Sequence, residues 1–390
     1  MTDVASILYG LEAANQPHEA YARLRTECPV AREPGFFPGT TNVFVSRYED
    51  VLWALKHPEV FSSSPGAIDI GQEHPLIPLQ VDPPEHAQYR RLLDPEFSPA
   101  KMRALEPDVR ALTNVLIDTF ADRGACDFHA DFAEPLPSSL FLRLMGLPQS
   151  DLTEFLGWRD DTIRPGGETP EETQAIRDRA GAAITAYFEA ALDERAVRPD
   201  DGLMSRIAAG EVDGRPLTRA EQLGMCHLLL LAGLDTVTAT LDCMVTYLAR
   251  HPDRRQVVVA DPERMAAAVE ELLRTETPVV MVPRLVAVDT TIGGVEVKAG
   301  DSATIVLGAA DTDDAEFPDA GAVDFDRERN RHLAFGAGPH RCLGSHLARL
   351  ELRVALEEFH RRIPDYRIAD DAEIVFTPAI RQALGLPLVW

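Results

Sequence analysis

The chain has 390 residues, 45% of them hydrophobic, with 38 basic and 63 acidic side chains and a formal net charge of −25. That balance argues against general affinity for nucleic acid or anionic lipid. The five cysteines (Cys28, Cys126, Cys226, Cys243, Cys342) are odd in number and show no CxxC pair for zinc or dithiol exchange, so a reducing compartment fits best.

The opening stretch MTDVASILYGLEAANQPHEAY lacks the basic-then-apolar order of a secretory signal. The longest uninterrupted apolar runs, such as 228–233, are far shorter than the roughly 18 residues that span a bilayer. A soluble, cytoplasmic protein with no membrane anchor is the expectation. In chain order, helical spacing of apolar residues predicts helices over 18–28, 48–57, 84–97, 99–122, 134–145, 151–163, 170–198, 218–250, 262–277 and 343–362. Strand signals fall at 43–46, 284–288, 292–297 and 302–307, with a last hairpin inside 366–388. The irregular stretches 62–81 and 163–170 read as lids over a pocket. The long Asp-, Pro- and Gly-rich coil at 308–335 needs something to pack against. With no linker or repeat, 1–390 reads as one mainly α-helical domain with small β-sheets.

Chemistry concentrates where the coil ends, at Phe335-Gly336-Ala337-Gly338-Pro339-His340-Arg341-Cys342-Leu343-Gly344. Gly336, Gly338 and Gly344 let the backbone turn tightly beside a flat ligand, and the amides and dipole of the helix that follows favour a thiolate at Cys342. The other four cysteines read as small buried hydrophobes. The grouping FGxGxHxCxG resembles the haem-ligand loop of the cytochrome P450 family.

Three further stretches carry the same resemblance. Glu271-Leu272-Leu273-Arg274 is similar to the family's ExxR pair, whose members share a helix face; alone it would be an ordinary solvated pair. The resemblance implies a third basic partner from the coil, Arg327 or Arg329, with Arg327 preferred. Leu231-Ala232-Gly233-Leu234-Asp235-Thr236 resembles the oxygen-binding segment, in which Thr236 would hydrogen-bond dioxygen and Asp235 relay protons. Taken without the cysteine loop, Gly233 would read as a packing glycine and Thr236 as bonding back to its own helix. Asp82-Pro83-Pro84-Glu85-His86-Ala87-Gln88-Tyr89-Arg90 is similar to the DPPEHxxxR helix.

The resemblance covers nearly the whole chain and leans towards the soluble bacterial branch that includes the camphor hydroxylase group. It implies a P450-like fold with haem b between the long central helix and the cysteine-loop helix. Cys342 would be the iron ligand, with Phe335, Gly336, Gly344 and Ala232 against the macrocycle and His86, Arg90, Arg284 and His340 on its propionates. The substrate wall would comprise His74, Leu76, Leu79, Leu228, Leu231, Val280, Val282 and Ile380. It implies a monomeric monooxygenase that hydroxylates or epoxidises a mostly apolar terpenoid, steroid or lipid-like molecule with dioxygen. Electrons would come from a ferredoxin and its reductase, docking on a basic patch of Arg103, Arg341, Arg349 and Arg353. Two alternatives stay open: a tailoring oxidase acting on a larger or carrier-tethered natural product, and a non-catalytic haem-thiolate sensor.

Overall fold

The computed structural model describes residues 4–35 and 39–390, which form two compact units. Among these, one unit comprises residues 4–35, 39–62, 99–136 and 236–390, and the other 63–98 and 137–235. The chain is mainly helical with small sheets, as the apolar spacing predicts.

In the first unit, β-branched runs build a five-stranded sheet in the order Val30–Pro34, Thr41–Val45, Ser302–Ile305, Val282–Val286, Phe61–Ser62. Only Thr41–Val45 and Ser302–Ile305 run parallel, with Val45 opposite Ile305. The sheet buries Val43, Val45, Val286 and Ile305 against Tyr48, Val51 and Leu55 of the helix Tyr48–Lys56, together with Phe317 and Leu333 of the long coil. The final hairpin forms as Arg367–Ile368 against Pro387–Val389, which also pairs with Ala125–Asp127.

Four helices of this unit position the chemistry: Pro99–Asp118, Thr236–Arg250, Met265–Glu276 and Ser345–Arg362. Glu271 and Arg274, on the third, are buried and doubly bonded, Arg274 Nε to Oε2 at 2.9 Å and Nη2 to Oε1 at 2.7 Å. Arg327 Nε donates to both carboxylate oxygens at 3.1 Å, and the Asp324 amide and Asn330 side chain add further donors. Arg329 is exposed instead. Arg274 also donates to the carbonyls of Asp311, Ala320 and Ala322, so the 308–335 coil packs against a charge.

The second unit contains the helices His86–Leu93, Leu152–Ile163, Pro170–Val197, Leu203–Ala208 and Arg219–Leu234. Thr218 and Glu221 form a reciprocal capping box at the start of the last of these. The stretch expected to be a lid is tied down. The Gln80 side chain donates to Ile68 O at 2.8 Å and accepts from the Leu76 amide at 2.7 Å. A Cβ at Gly181, on the Pro170–Val197 helix, would come within 2.0 Å of Gly71 O.

The long central helix differs from expectation, and helices form at Leu203–Ala208 and Pro252–Ala260 where none was expected. The helix expected over 218–250 is two helices, Arg219–Leu234 and Thr236–Arg250, interrupted at Asp235. The Leu234 carbonyl accepts from Arg159 Nη1 at 3.3 Å, and the Thr236 carbonyl accepts from the Thr240 hydroxyl at 2.7 Å. A substitute donor thus serves the Leu234 carbonyl at the interruption, while the Thr240 hydroxyl bonds back within the second helix. By length and composition the 219–250 stretch could cross a membrane, but 78% of its most apolar window is buried in the protein, as in a core helix.

Burial raises the carboxyl pKa values of Asp242, Asp311 and Glu351 in the first unit, and for Glu351 burial acts alone. Glu351 is buried on the Ser345–Arg362 helix, its Oε2 has no hydrogen-bond partner among the described residues, and burial pushes its pKa from 4.5 up to about 8. Between those values the folded state keeps the proton and the unfolded state loses it, so stability falls as pH rises through that window. Glu351→Gln is expected to be more stable than the parent at about pH 8.5, by roughly 1–3 kcal/mol, and nearly equal to it at about pH 5. Urea-unfolding midpoints at both pH values check this, and a gap that does not change with pH would refute it.

Candidate functional site

In the first unit the cysteine loop closes on itself through the Cys342 amide, which donates to Phe335 O at 2.8 Å. Gly336 and Gly338 take left-handed backbone angles, φ 65° and 68°. A Cβ at Gly338 would come within 2.4 Å of Leu55 O, so that position must stay bare. Beside Cys342 there is room. A Cβ at Gly336 would meet nothing nearer than His340 O at 3.9 Å, and one at Gly344, the N-cap of the Ser345–Arg362 helix, would meet nothing within 4 Å.

The thiols sort by environment. Cys342 is exposed, whereas Cys126, Cys226 and Cys243 are buried, with burial pushing Cys126 and Cys226 up to about 12. Only Cys342 therefore combines access with the head of a helix, the setting in which a sulfur can serve as a metal ligand. An accessible thiol flanked by glycines that leave space fits thiolate ligation of a flat prosthetic group.

The loop is braced from the neighbouring helix by Glu270, the residue before Glu271. Its carboxylate accepts from Arg349 Nε at 2.6 Å and Nη2 at 2.8 Å, and His332 Nε2 lies 3.2 Å away. Burial alone would raise the Glu270 pKa, but His332 and Arg349 hold it at about 2. The Arg349 guanidinium lies over the Phe335 ring, 4.4 Å from its centre. Nearby in sequence, His340 is half-buried. Arg284 is buried on the strand Val282–Val286 and donates to Pro283 O at 2.7 Å. An isolated bridge pairs Val279 with Ile380, bringing buried Val280 close to half-buried Ile380, while Val282 is half-buried at the strand's start.

In the second unit Asp235 is fully buried, with Oδ1 accepting from Arg164 Nη2 at 2.7 Å and lying 3.9 Å from Arg159 Nε, an ion-pair distance. Burial opposes the Arg164 charge, but Asp235 and Asp160 hold its pKa above the ordinary value. Asp235 Oδ2 finds no hydrogen-bond partner among the described residues. A Cβ at Gly233 would lie 2.7 Å from Phe141 Cδ2, so this glycine also serves helix packing. His86 is buried, and burial followed by Arg90 lowers its pKa; Arg90 itself donates to Asp94 Oδ1 at 2.7 Å. Leu76 and Leu231 are buried, His74 and Leu228 half-buried, and Leu79 and Ala232 exposed.

Comparison with known proteins decides the family. The cytochrome P450 family model matches residues 171–362. A steroid C26-monooxygenase of Mycolicibacterium smegmatis is 34% identical over 365 residues, covering 93% of this chain and 89% of the relative. The mycinamicin IV hydroxylase/epoxidase of Micromonospora griseorubida is 33% identical, covering 98% of this chain and 97% of the relative. The solved structure of the bacillaene polyketide synthase cytochrome P450 PksS from Bacillus subtilis superposes with a TM-score of 0.89 at 29% identity, covering 98% of each chain. The chain belongs to the cytochrome P450 family. It is a haem-thiolate monooxygenase with haem b as its cofactor.

Two features of this P450 depart from the sequence reading. Arg349 and Arg353, expected in a basic docking patch, are committed inside the protein: Arg349 to Glu270, and Arg353 to Glu106 at 2.6 Å and Glu357 at 2.9 Å. Only Arg103 and Arg341 of that set are exposed. The second is Glu270, which the sequence reading passed over although it adjoins the ExxR glutamate.

Glu270→Ala should loosen the loop without unfolding the protein. Hydrogen exchange of the 335–342 amides is expected to rise at least about tenfold, while the His86–Leu93 helix stays unchanged. Unaltered exchange in the loop would rule out the brace.

Proposed function

We propose that Cys342 is the thiolate ligand of the haem and that this P450 oxygenates a mostly apolar small molecule of terpenoid, steroid or lipid-like type. The observation that carries the assignment is the exposed Cys342 thiol, set by its closed loop at the head of a helix with open space at Gly336 and Gly344. The prosthetic group, held by a thiolate, supplies the oxygen-activating chemistry. His86, Arg90, Arg284 and His340 serve its propionates, since buried carboxylates need charged or hydrogen-bonding partners. Phe335, Gly336, Gly344 and Ala232 pack against its faces.

Proton delivery falls to Asp235 and the adjacent Thr236. With Oδ1 engaged by Arg164, Asp235 Oδ2 is the atom left to take up and pass on a proton, and the half-buried Thr236 hydroxyl receives it and orders water. The aliphatic residues Leu76, Leu79, Leu228, Leu231, Val280, Val282 and Ile380 select for apolar substrate, and the steroid named for the Mycolicibacterium relative supports that class. A larger natural-product substrate is the second reading, favoured by the likeness to a macrolide hydroxylase/epoxidase and to a polyketide-synthase P450. Electrons come from a ferredoxin meeting exposed Arg103 and Arg341, and the protein works as a cytoplasmic monomer.

Two variants test the roles. Cys342→Ala is expected to fold and to lose the thiolate-type spectrum of the ferrous carbon monoxide complex; retention of that spectrum would displace Cys342 as ligand. Thr236→Ala should bind substrate normally but release much of the electron flow as hydrogen peroxide. Product yield per electron equal to that of the parent would remove Thr236 from proton delivery.

A further inference from the structure

The first central helix, Arg219–Leu234, places Gly224, His227, Leu228 and Leu231 at successive intervals of three, one and three residues, which is one helix face. That face lies on the segment after His74. A Cβ at Gly224 would come within 2.1 Å of Pro75 O and 3.7 Å of Ile77 Cγ1. His227 is the polar member of this stripe. It is buried, and its Nε2 has no hydrogen-bond partner among the described residues. Native structures rarely leave a buried ring nitrogen unsatisfied, because such an atom has given up water without a replacement.

We infer that His227 is a specificity residue whose buried Nε2, with His74 beside it, holds a neutral oxygen function, a hydroxyl or ketone, on an otherwise apolar substrate. The inference rests on the reading above that Leu228 and Leu231 face the substrate, since His227 shares their helix face. Burial first, and then the nearness of His74, lower the His227 pKa to about 4, so the ring is neutral at physiological pH. A neutral imidazole offers one donor and one acceptor. It matches an alcohol or ketone and lacks the net charge that would favour a carboxylate over them. A site built around an unsatisfied polar atom also penalises the analogue that lacks the matching group.

The test is titration of the ferric holoenzyme with two matched sets, following displacement of the iron-bound water in the Soret band. One set is menthone, menthol and p-menthane; the other is the 3-keto, 3-hydroxy and 3-deoxy members of the androstane series. The parent is expected to bind the oxygenated members at least about tenfold tighter than the hydrocarbon, and His227→Leu to bring all three within about twofold while keeping the hydrocarbon's affinity. Equal binding of every member by the parent, or a preference that survives His227→Leu, overturns the inference alone. A parent that responds to no member of either set overturns the apolar-substrate reading and the inference with it. Ligand-free His227→Leu, still showing the thiolate-type carbon monoxide spectrum, should unfold at the same or a higher urea concentration than the parent. A marked loss of stability would assign the ring a structural role instead.

Discussion

The carboxylate of Glu271 is the interaction on which the rest of this P450 depends. It is buried and ionically paired, and every oxygen position it offers is used by Arg274, Arg327, Asn330 or the Asp324 amide. A buried charge is tolerable only when partnered this fully, and removing one partner leaves the others uncompensated. Because Arg274 reaches on to three carbonyls of the 308–335 coil, the charge pair orders a stretch of chain with almost no regular structure. The coil delivers the cysteine loop, so the loop inherits its position from this pair.

Consecutive residues on a helix point about 100° apart, and the protein uses that angle. Glu271 turns to the coil, while Glu270 turns to His332 and to Arg349 of the cysteine-loop helix. One element thereby grips both ends of the loop: the approach through Glu271, and the exit through Arg349, whose guanidinium also covers Phe335. The interruption at Asp235 follows similar logic, with a buried carboxylate and a freed carbonyl both answered by arginines of the Leu152–Ile163 segment and its end.

Much of this was legible in the sequence, for reasons that also mark where legibility stops. The helices and strands follow from local periodicity. The loop at Cys342 follows from an unusual density of glycine around one cysteine, and the preference for Arg327 over Arg329 agrees with which of the two meets Glu271. The break at Asp235 was not visible, because apolar spacing continues through it and the arginines that stabilise it lie 71 and 75 residues away in sequence. The docking patch was overread for the same reason. Arginines on one helix face are easy to see, but one of the two carboxylates that pair with Arg353, Glu106, is on another helix, 247 residues distant. Glu270 carried no distinguishing signal beside Glu271, whereas His227 did: it is the one polar residue in the run Cys226-His227-Leu228-Leu229-Leu230-Leu231 apart from its cysteine.

The placement of positive charge has a consequence for electron transfer. The chain carries a net charge of −25, yet Arg159, Arg255, Arg274, Arg284 and Arg381 are all buried. Nine carboxylates are buried as well among the described residues, more than these five arginines, so the surface stays acidic but no more so than composition suggests. The acidic ferredoxin proposed above as electron donor would approach against the overall field, and its long-range steering would be weak or repulsive. Under that proposal, docking would rest on short-range contacts with exposed arginines such as Arg103 and Arg341, where desolvation and shape count for more than net charge.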